Sequence, residues 1–348
     1  MSQWQQGAAG IRSARRREGS TEGHKVLTVY ENKLGALKPQ TGQPKITEQA
    51  IWIDLLNPTQ EEEAKVEKAL KIDVPTREEQ QEIEASSRLY QEDGAQFMTA
   101  TLLFQPEQGE PRTTPVTFIL AGQRLVTVRY AEPRAFAIYV VRCNRAEPEI
   151  KNVLSVLIGL IETIVDRLAD FIERIQAEVE GLSHSIFEIK GGAASRQRRF
   201  DVILRAIGRE GEISSKVRES AHSLGRLLTF LAHAANERKE DKQIQARIRT
   251  AARDVTSLTD HATFLSGKII FLLDATLGMI NIQQNDIIKI FSVAAVVFLP
   301  PTLLASIYGM NFHHMPELNW MFGYPLALIL MVLAAVLPYI YFKRKGWL

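Results

Sequence analysis

Two apolar segments, residues 290–308 and 324–342, lie close together near the C-terminal end of the chain. Each has about the 20 residues that a helix needs to cross a hydrocarbon core of ~30 Å. Backbone in lipid has no water to bond to, so a span of that length must satisfy its amides within itself, as a helix. Lys289 precedes the first segment and Lys343, Arg344 and Lys345 follow the second, whereas residues 312–322 between them contain no Lys or Arg. This basic bias predicts that both termini are cytosolic.

The rest of the 348 residues, with 45% hydrophobic content overall, allows about two domains. Residues 1–25 hold Arg15-Arg16-Arg17 among Ser, Gly and Gln, and read as a disordered cytosolic tail without the apolar stretch of a secretory signal. Short β-rich runs at 26–30, 51–55, 97–104, 116–120 and 125–130, with helical spacing at 61–70 and 77–89, predict an α/β domain over residues 26–148. The last two strands are joined by Ala121-Gly122-Gln123-Arg124 as a hairpin. Helices follow over residues 149–242, broken at Gly191-Gly192 and turning at 236–242. From residue 243 nothing interrupts a helical pattern before Pro300-Pro301, so residues 243–310 read as one helix on the order of 100 Å long, from cytosolic stalk into the first span. A loop over 311–323, the second span at 324–342 and a basic tail at 343–348 complete the order.

A net charge of +2 without a clustered basic face argues against a nucleic-acid partner. The single cysteine, Cys143, has no intrachain partner, which fits a reducing compartment, and it reads as a small half-buried residue rather than a nucleophile. No P-loop and no nucleophile–base pair appears, so the chain is not expected to be an enzyme.

Read in steps of four and three, the long helix aligns Asp274, Gly278, Asn281, Asn285, Ile288, Ser292, Ala295, Leu299, Thr302, Ser306 and Gly309 on one face. Most are polar or small, in a segment otherwise built of Ile, Val, Leu and Phe. In lipid such a face must meet other helices or water. It serves either close helix packing or a pore, and the periodicity alone does not choose between them. His313-His314 follow the span, but adjacent histidines diverge and no Cys or third His lies nearby, which argues against a zinc or nickel site.

Gly309-Met310-Asn311 at the end of the first span carries a resemblance to the CorA family of magnesium transporters, whose signature is this triplet at the outer end of the first of two C-terminal membrane helices. The likeness continues through Met315-Pro316-Glu317-Leu318, Phe322-Gly323-Tyr324-Pro325 and Tyr341-Phe342-Lys343-Arg344-Lys345. Upstream it takes in Trp52-Ile53-Asp54-Leu55, Asn57-Pro58-Thr59 and Pro75-Thr76-Arg77-Glu78-Glu79.

The resemblance implies a homopentameric funnel in a bacterial inner membrane, with a central pore lined by the long helix. Gly309, Met310 and Asn311 would form the selectivity filter, and the stripe from Asp274 to Ser306 the pore wall. It further implies a channel-like carrier of Mg2+, also admitting Co2+ and Ni2+, with Mg2+ both transported and regulatory. Inward movement of a divalent ion gains ~4.6 kcal/mol per 100 mV, so no nucleotide is needed. Mg2+ sheds its octahedral water shell reluctantly, which suits neutral amide and hydroxyl oxygens such as Asn311, Thr302 and Asn285. Ile288 and Leu299 either gate by excluding water or pack the helices together. Glu317 either concentrates cations at the mouth or is solvated surface.

The family also binds regulatory Mg2+ between subunits. Here the matching carboxylates are Glu78, Glu79, Glu82 and Glu84 on one acidic helix, with Asp260 or, one turn away, Asp254 on the stalk. Two other readings remain. One is a zinc transporter of the same superfamily, and the other a membrane-anchored coiled-coil sensor or scaffold that transports nothing.

Overall fold

The computed structural model describes residues 26–33, 35–40, 44–82, 84–144, 150–187, 193–238, 240–310, 313, 315–316 and 320–346. The tail at 1–25, the Gly191-Gly192 break, Asn311, His314 and Glu317 lie outside the described residues. The chain divides into two compact units, one of residues 1–177 with 211–266 and the other of 178–210 with 267–348.

The first unit is built on a seven-stranded sheet of β1 (Val26–Lys33), β2 (Ala36–Pro39), β3 (Ala50–Leu56), β4 (Leu89–Glu92), β5 (Ala95–Phe104), β6 (Arg112–Ala121) and β7 (Arg124–Arg129), in spatial order β2-β1-β3-β7-β6-β5-β4. Every neighbouring pair is antiparallel except β3 and β7. Alternation along each strand sends Ile53, Leu55, Phe97, Ile119, Val126 and Val128 to one face, where they bury Val66 of helix α1 (Gln60–Leu70) together with Ile72 and Val74. The alternate positions, among them Trp52, Met98, Phe118, Leu120 and Leu125, are also fully buried, so both faces of the sheet are covered. β6 and β7 join through Gly122-Gln123, and Gly122 takes φ +60 at the first turn position, which costs glycine no side-chain clash.

The motifs upstream acquire physical meaning here. Asp54 and Thr127 stand opposite each other in the parallel β3–β7 pair. Trp52 Nε1 donates to Thr127 Oγ1 at 2.9 Å, and Thr127 donates to Asp54 at 2.7 Å. Arg129 grips the same carboxylate through Nε at 3.0 Å and Nη2 at 2.7 Å. Tyr30 stacks on Trp52 with centroids 4.5 Å apart, and burial, aided by the charge of Asp54, pushes its hydroxyl up to about 12. Asn57 leaves the strand at φ 46, a left-handed conformation that Asn tolerates, and Thr59 then caps α1 in a reciprocal box with Glu62.

Residues 77–89 depart from expectation. Instead of one helix they form two single turns, α2 (Arg77–Gln80) and α3 (Ala85–Arg88), before Leu89 enters β4. Thr76 and Glu79 make a capping box that starts α2, but it ends at Gln81, and residues 89–92 gain more by pairing with β5. Glu78, Glu79, Glu82 and Glu84 therefore do not share one helix. β6 begins four residues earlier than its apolar run, at Arg112. Pro115, a residue that argues against a central strand, sits just before β7 pairing begins at Val116, where β6 has β5 alone as a neighbour. Beyond Met98, β5 outruns β4, and its Thr101 and Leu103 amides donate instead to Ser223 and Ser220 at 2.9 and 3.2 Å. This caps an open strand edge.

Helices α4 (Arg134–Asn144), α5 (Val153–Phe187), α6 (Ala193–Glu237), α7 (Lys242–Tyr308) and α8 (Gly323–Arg344) make up the remainder. Cys143 on α4 is fully rather than half buried, and burial pushes its thiol above the ordinary value, which suits packing and not nucleophilic attack. On α5, Gly159 meets Tyr139 of α4 so closely that an added Cβ would lie 2.8 Å from Cε2 and 2.9 Å from the hydroxyl. Tyr139 is 1% exposed and also packs on Trp52, so it has nowhere to move. Gly159→Ala should therefore lower stability by about 1–3 kcal/mol through overpacking, despite a helix-propensity gain of up to ~1 kcal/mol. Thermal melting of the detergent-solubilised protein checks this. Adding Tyr139→Leu should restore most of the loss, and a stable single variant would show that the ring can yield.

Candidate functional site: the exposed face of a membrane helix

Helices α7 and α8 are both long and apolar enough to cross a membrane. In their most apolar windows only 6% of residues are buried by the chain itself, which is not how a soluble core helix behaves. Phe291 and Phe298 on α7 and Leu337 on α8 are among the large apolar side chains left open.

All eleven stripe positions, from Asp274 through Gly309, are exposed in the single chain. Most covered positions of α7 run two residues out of step, at Thr276, Ile280, Gln283, Ile287, Ala294, Val297, Pro301, Leu304 and Tyr308, while Ala275, Met279, Val293 and Pro300 are covered one residue out of step. Two residues are ~200° of rotation, so the stripe faces away from the side that its own chain covers. On α8 the covered positions are Gly323, Ala327, Met331, Ala334, Ala335, Pro338 and Phe342, spaced near four and mostly small, as close helix approach requires.

Within the stripe, Thr302 Oγ1 donates to the Phe298 carbonyl at 2.7 Å. Its proton is thus committed, and its lone pairs remain as acceptors. α7 ends at Tyr308, Gly309 N donates to Ala305 O at 3.0 Å, and an added Cβ at Gly309 would lie 3.2 Å from that same carbonyl. A larger residue would crowd the turn that leads to Asn311. Met310 is 48% exposed.

The acidic candidates separate. Glu79 accepts the Thr76 amide at 2.9 Å and so serves the α2 cap, whereas Glu78, Glu82 and Glu84 are exposed. Asp254 and Asp260 on α7 are both exposed, but six residues place them ~120° apart on the helix. The Asp166 carboxyl of α5 is 72% exposed and lies 3.7 Å from Arg142. Partial desolvation by its neighbours shifts it above its usual range, with Arg142 opposing and the charges of Glu162, Asp170 and Asp254 assisting. Asp254 therefore belongs to an acidic patch with its own subunit's α5, while Asp260 points elsewhere. The i, i+4, i+8 spacing of Glu162, Asp166 and Asp170 is the sequence signal for this patch. Nearby, Arg247 of α7 holds Glu162 through two bonds of 2.9 and 2.6 Å, which ties the start of α7 to α5. Among the described residues no three His, Cys, Asp or Glu side chains converge as a metal site within one chain.

These features define a class: a membrane protein in which an α/β unit is continued by one very long helix into a two-helix membrane portion, the long helix keeping a polar face free. A family described as CorA-like Mg2+ transporter protein matches residues 47–344. The chain belongs to that family. It is 40% identical over 323 residues to the magnesium transport protein CorA of Escherichia coli, covering 93% of this chain and 99% of that one. The complete structure of the CorA magnesium transporter from Methanocaldococcus jannaschii has the same fold, with a TM-score of 0.76 at 20% identity, over 94% of this chain and 100% of that one. The cytoplasmic domain of ZntB from Vibrio parahaemolyticus shares the fold at a TM-score of 0.56 and 11% identity, over 75% of this chain and 99% of that domain.

Proposed function

We propose that this chain is a channel-like Mg2+ transporter of the inner membrane, working as a homopentamer with both termini in the cytosol. Co2+ and Ni2+ would be secondary substrates. The observation that carries the reading is the eleven-position stripe, exposed throughout and turned away from the chain's own covered face. Five copies of α7 arranged with that face inward would give a pore lined by Asn281, Asn285, Ser292, Thr302 and Ser306. A hydrated Mg2+ presents O–H donors outward, so the pore must offer acceptors, and Thr302, with its own proton held by Phe298, offers only those. Asn311 would accept from the hydrated ion at the mouth. The membrane potential supplies the driving force, and no catalytic step is required.

The test is uptake into vesicles by the purified protein, with Mg2+, Co2+ and Zn2+ compared side by side. Mg2+ should enter faster than Zn2+, and flux no greater than in empty vesicles would end the transport reading. For regulation, the reading is that Mg2+ bound between subunits holds the ring closed, with Asp260 facing the neighbour's Glu78, Glu82 or Glu84. Asp260→Ala should keep the pore conducting at internal Mg2+ levels that shut the parent, and Mg2+ should protect it less from proteolysis. Asp254→Ala, on its own subunit's patch, should stay close to the parent in both assays. Unchanged gating in Asp260→Ala would remove that residue from the sensor.

A further inference from the structure

The C-terminal end of α8 carries a charge cluster that neither the pore nor the sensor uses. Lys343, Arg344 and Lys345 follow one another there, all exposed. Among the described residues none of them has a carboxylate within ion-pair distance. The basic residue before the other span differs, since Lys289 is neutralised by Asp286 at 3.4 Å. Lys343 Nζ lies 5.9 Å from the Tyr339 ring centre and Lys345 Nζ 5.3 Å from that of Tyr341. A cation above a ring keeps its N–H donors free on the far side. The helix dipole accounts for a cation in the last turn and the positive-inside bias for basic residues at a cytosolic end, and both leave the three charges without a counter-charge.

The length of the helix sets their depth. The 22 residues of α8 span about 33 Å, slightly more than a ~30 Å hydrocarbon core. Centred on that core, Tyr341 lies within about 4 Å of its edge and Tyr339 about 3 Å deeper, while the three cations start at the edge, from which long basic side chains extend to the phosphates. We propose that Lys343, Arg344 and Lys345, on their tyrosine platform, form a binding site for the phosphates of anionic phospholipid in the cytosolic leaflet. The proposal rests on the cytosolic placement of this end of α8. Arg344 supplies a planar fork suited to a phosphate, and the two ammonium groups supply point charges on either side.

The test uses the full-length protein in mixed phosphatidylglycerol and phosphatidylcholine vesicles, extracted gently, with co-purifying lipid quantified by mass spectrometry. The parent should retain phosphatidylglycerol above its share of the bilayer. The variant combining Lys343→Gln, Arg344→Gln and Lys345→Gln should lose that enrichment by on the order of 10-fold. Exchanging the types, Lys343→Arg with Arg344→Lys, should keep it, and Lys289→Gln should leave it unchanged. Should the triple variant not assemble, the parent alone decides, because its enrichment must fall as salt rises. Enrichment that survives the triple substitution or high salt overturns the proposal. So does displacement by inorganic phosphate at matched ionic strength, which would mark a general anion site. Absence of enrichment in the parent would leave the cluster to carboxylates of a neighbouring copy. Lipid retention is read without any Mg2+ gradient, so failure here and failure of the transport reading are separate results.

Discussion

Asn311→Ala should reduce Mg2+ uptake to the level of empty vesicles while the protein still purifies as the same oligomer. The reason is hydration chemistry. An ion that keeps its waters at the mouth is recognised by acceptors spaced to meet them, and alanine offers none. Asn311→Asp should fail differently, because a ring of carboxylates binds the ion more tightly and releases it more slowly, so ion binding should persist while flux falls. Gly309 belongs to the same prediction. Its Cβ would sit 3.2 Å from the Ala305 carbonyl, so Gly309→Ala should disturb the turn and lower flux with Asn311 intact. Isotope uptake measured alongside gel filtration separates these outcomes. Normal flux through Asn311→Ala would remove the amide from the filter and move selectivity down to Thr302 or Asn285.

The stripe was legible in the sequence because lipid imposes a sharp rule: a polar or small residue repeating every 3.5 positions among Ile, Val and Phe needs a reason. All eleven positions are exposed in the single chain, as are many apolar neighbours such as Phe291, Phe298 and Leu303, so exposure alone does not distinguish the stripe from lipid-facing surface. The long strands were legible for a similar reason, being apolar runs bounded by turn residues. The short ones were not. β2 spans Ala36–Pro39 and β4 spans Leu89–Glu92, four residues each, with Lys38-Pro39 and Gln91-Glu92 giving no apolar alternation. They are strands because the sheet offers them an edge, and local pattern does not record that. The same competition broke the helix expected at residues 77–89. Arg77, Glu78 and Glu79 favour helix locally, but Leu89 and Tyr90 gain more from pairing with Met98 and Phe97. Helix α4 is not legible in the sequence because Tyr139, Val140 and Val141 favour strand, and the burial of Tyr139 against Gly159 is a tertiary fact. For the proposed sensor, the acidic residues are legible in the sequence but their directions are not. Asp254 and Asp260 look equivalent until helix rotation and the α5 carboxylates are set beside them.

Arg129→Ala should destabilise the sheet unit more than any other single change considered. Asp54 is 4% exposed and Arg129 8%, and the pair closes at 2.7 Å. Their net value against an apolar pair is small, because each charge lost its water on burial. Removing one partner is another matter. Asp54 would keep a single donor, Thr127, and its charge would be stranded between β3 and β7, at a cost of about 3–5 kcal/mol. Against a total of ~5–15 kcal/mol for a typical domain, that leaves little. The guanidinium also lies 4.5 Å from the Phe136 ring centre and donates to Ala131 O at 3.0 Å, so the chain leading into α4 loosens as well. Replacing both charges, Asp54→Leu with Arg129→Met, should recover most of the loss by leaving no orphan behind. Trp52 reports on the transition directly, since its indole donates to Thr127 within the same network and it is the described tryptophan of this unit. Urea titration followed by its fluorescence should show the midpoint of the single variant far below the parent and that of the double variant close to it. If the single variant shifts by no more than the double, the pair is held by the packing around it, and the parallel β3–β7 joint owes its stability to Trp52, Leu125 and Phe118 instead.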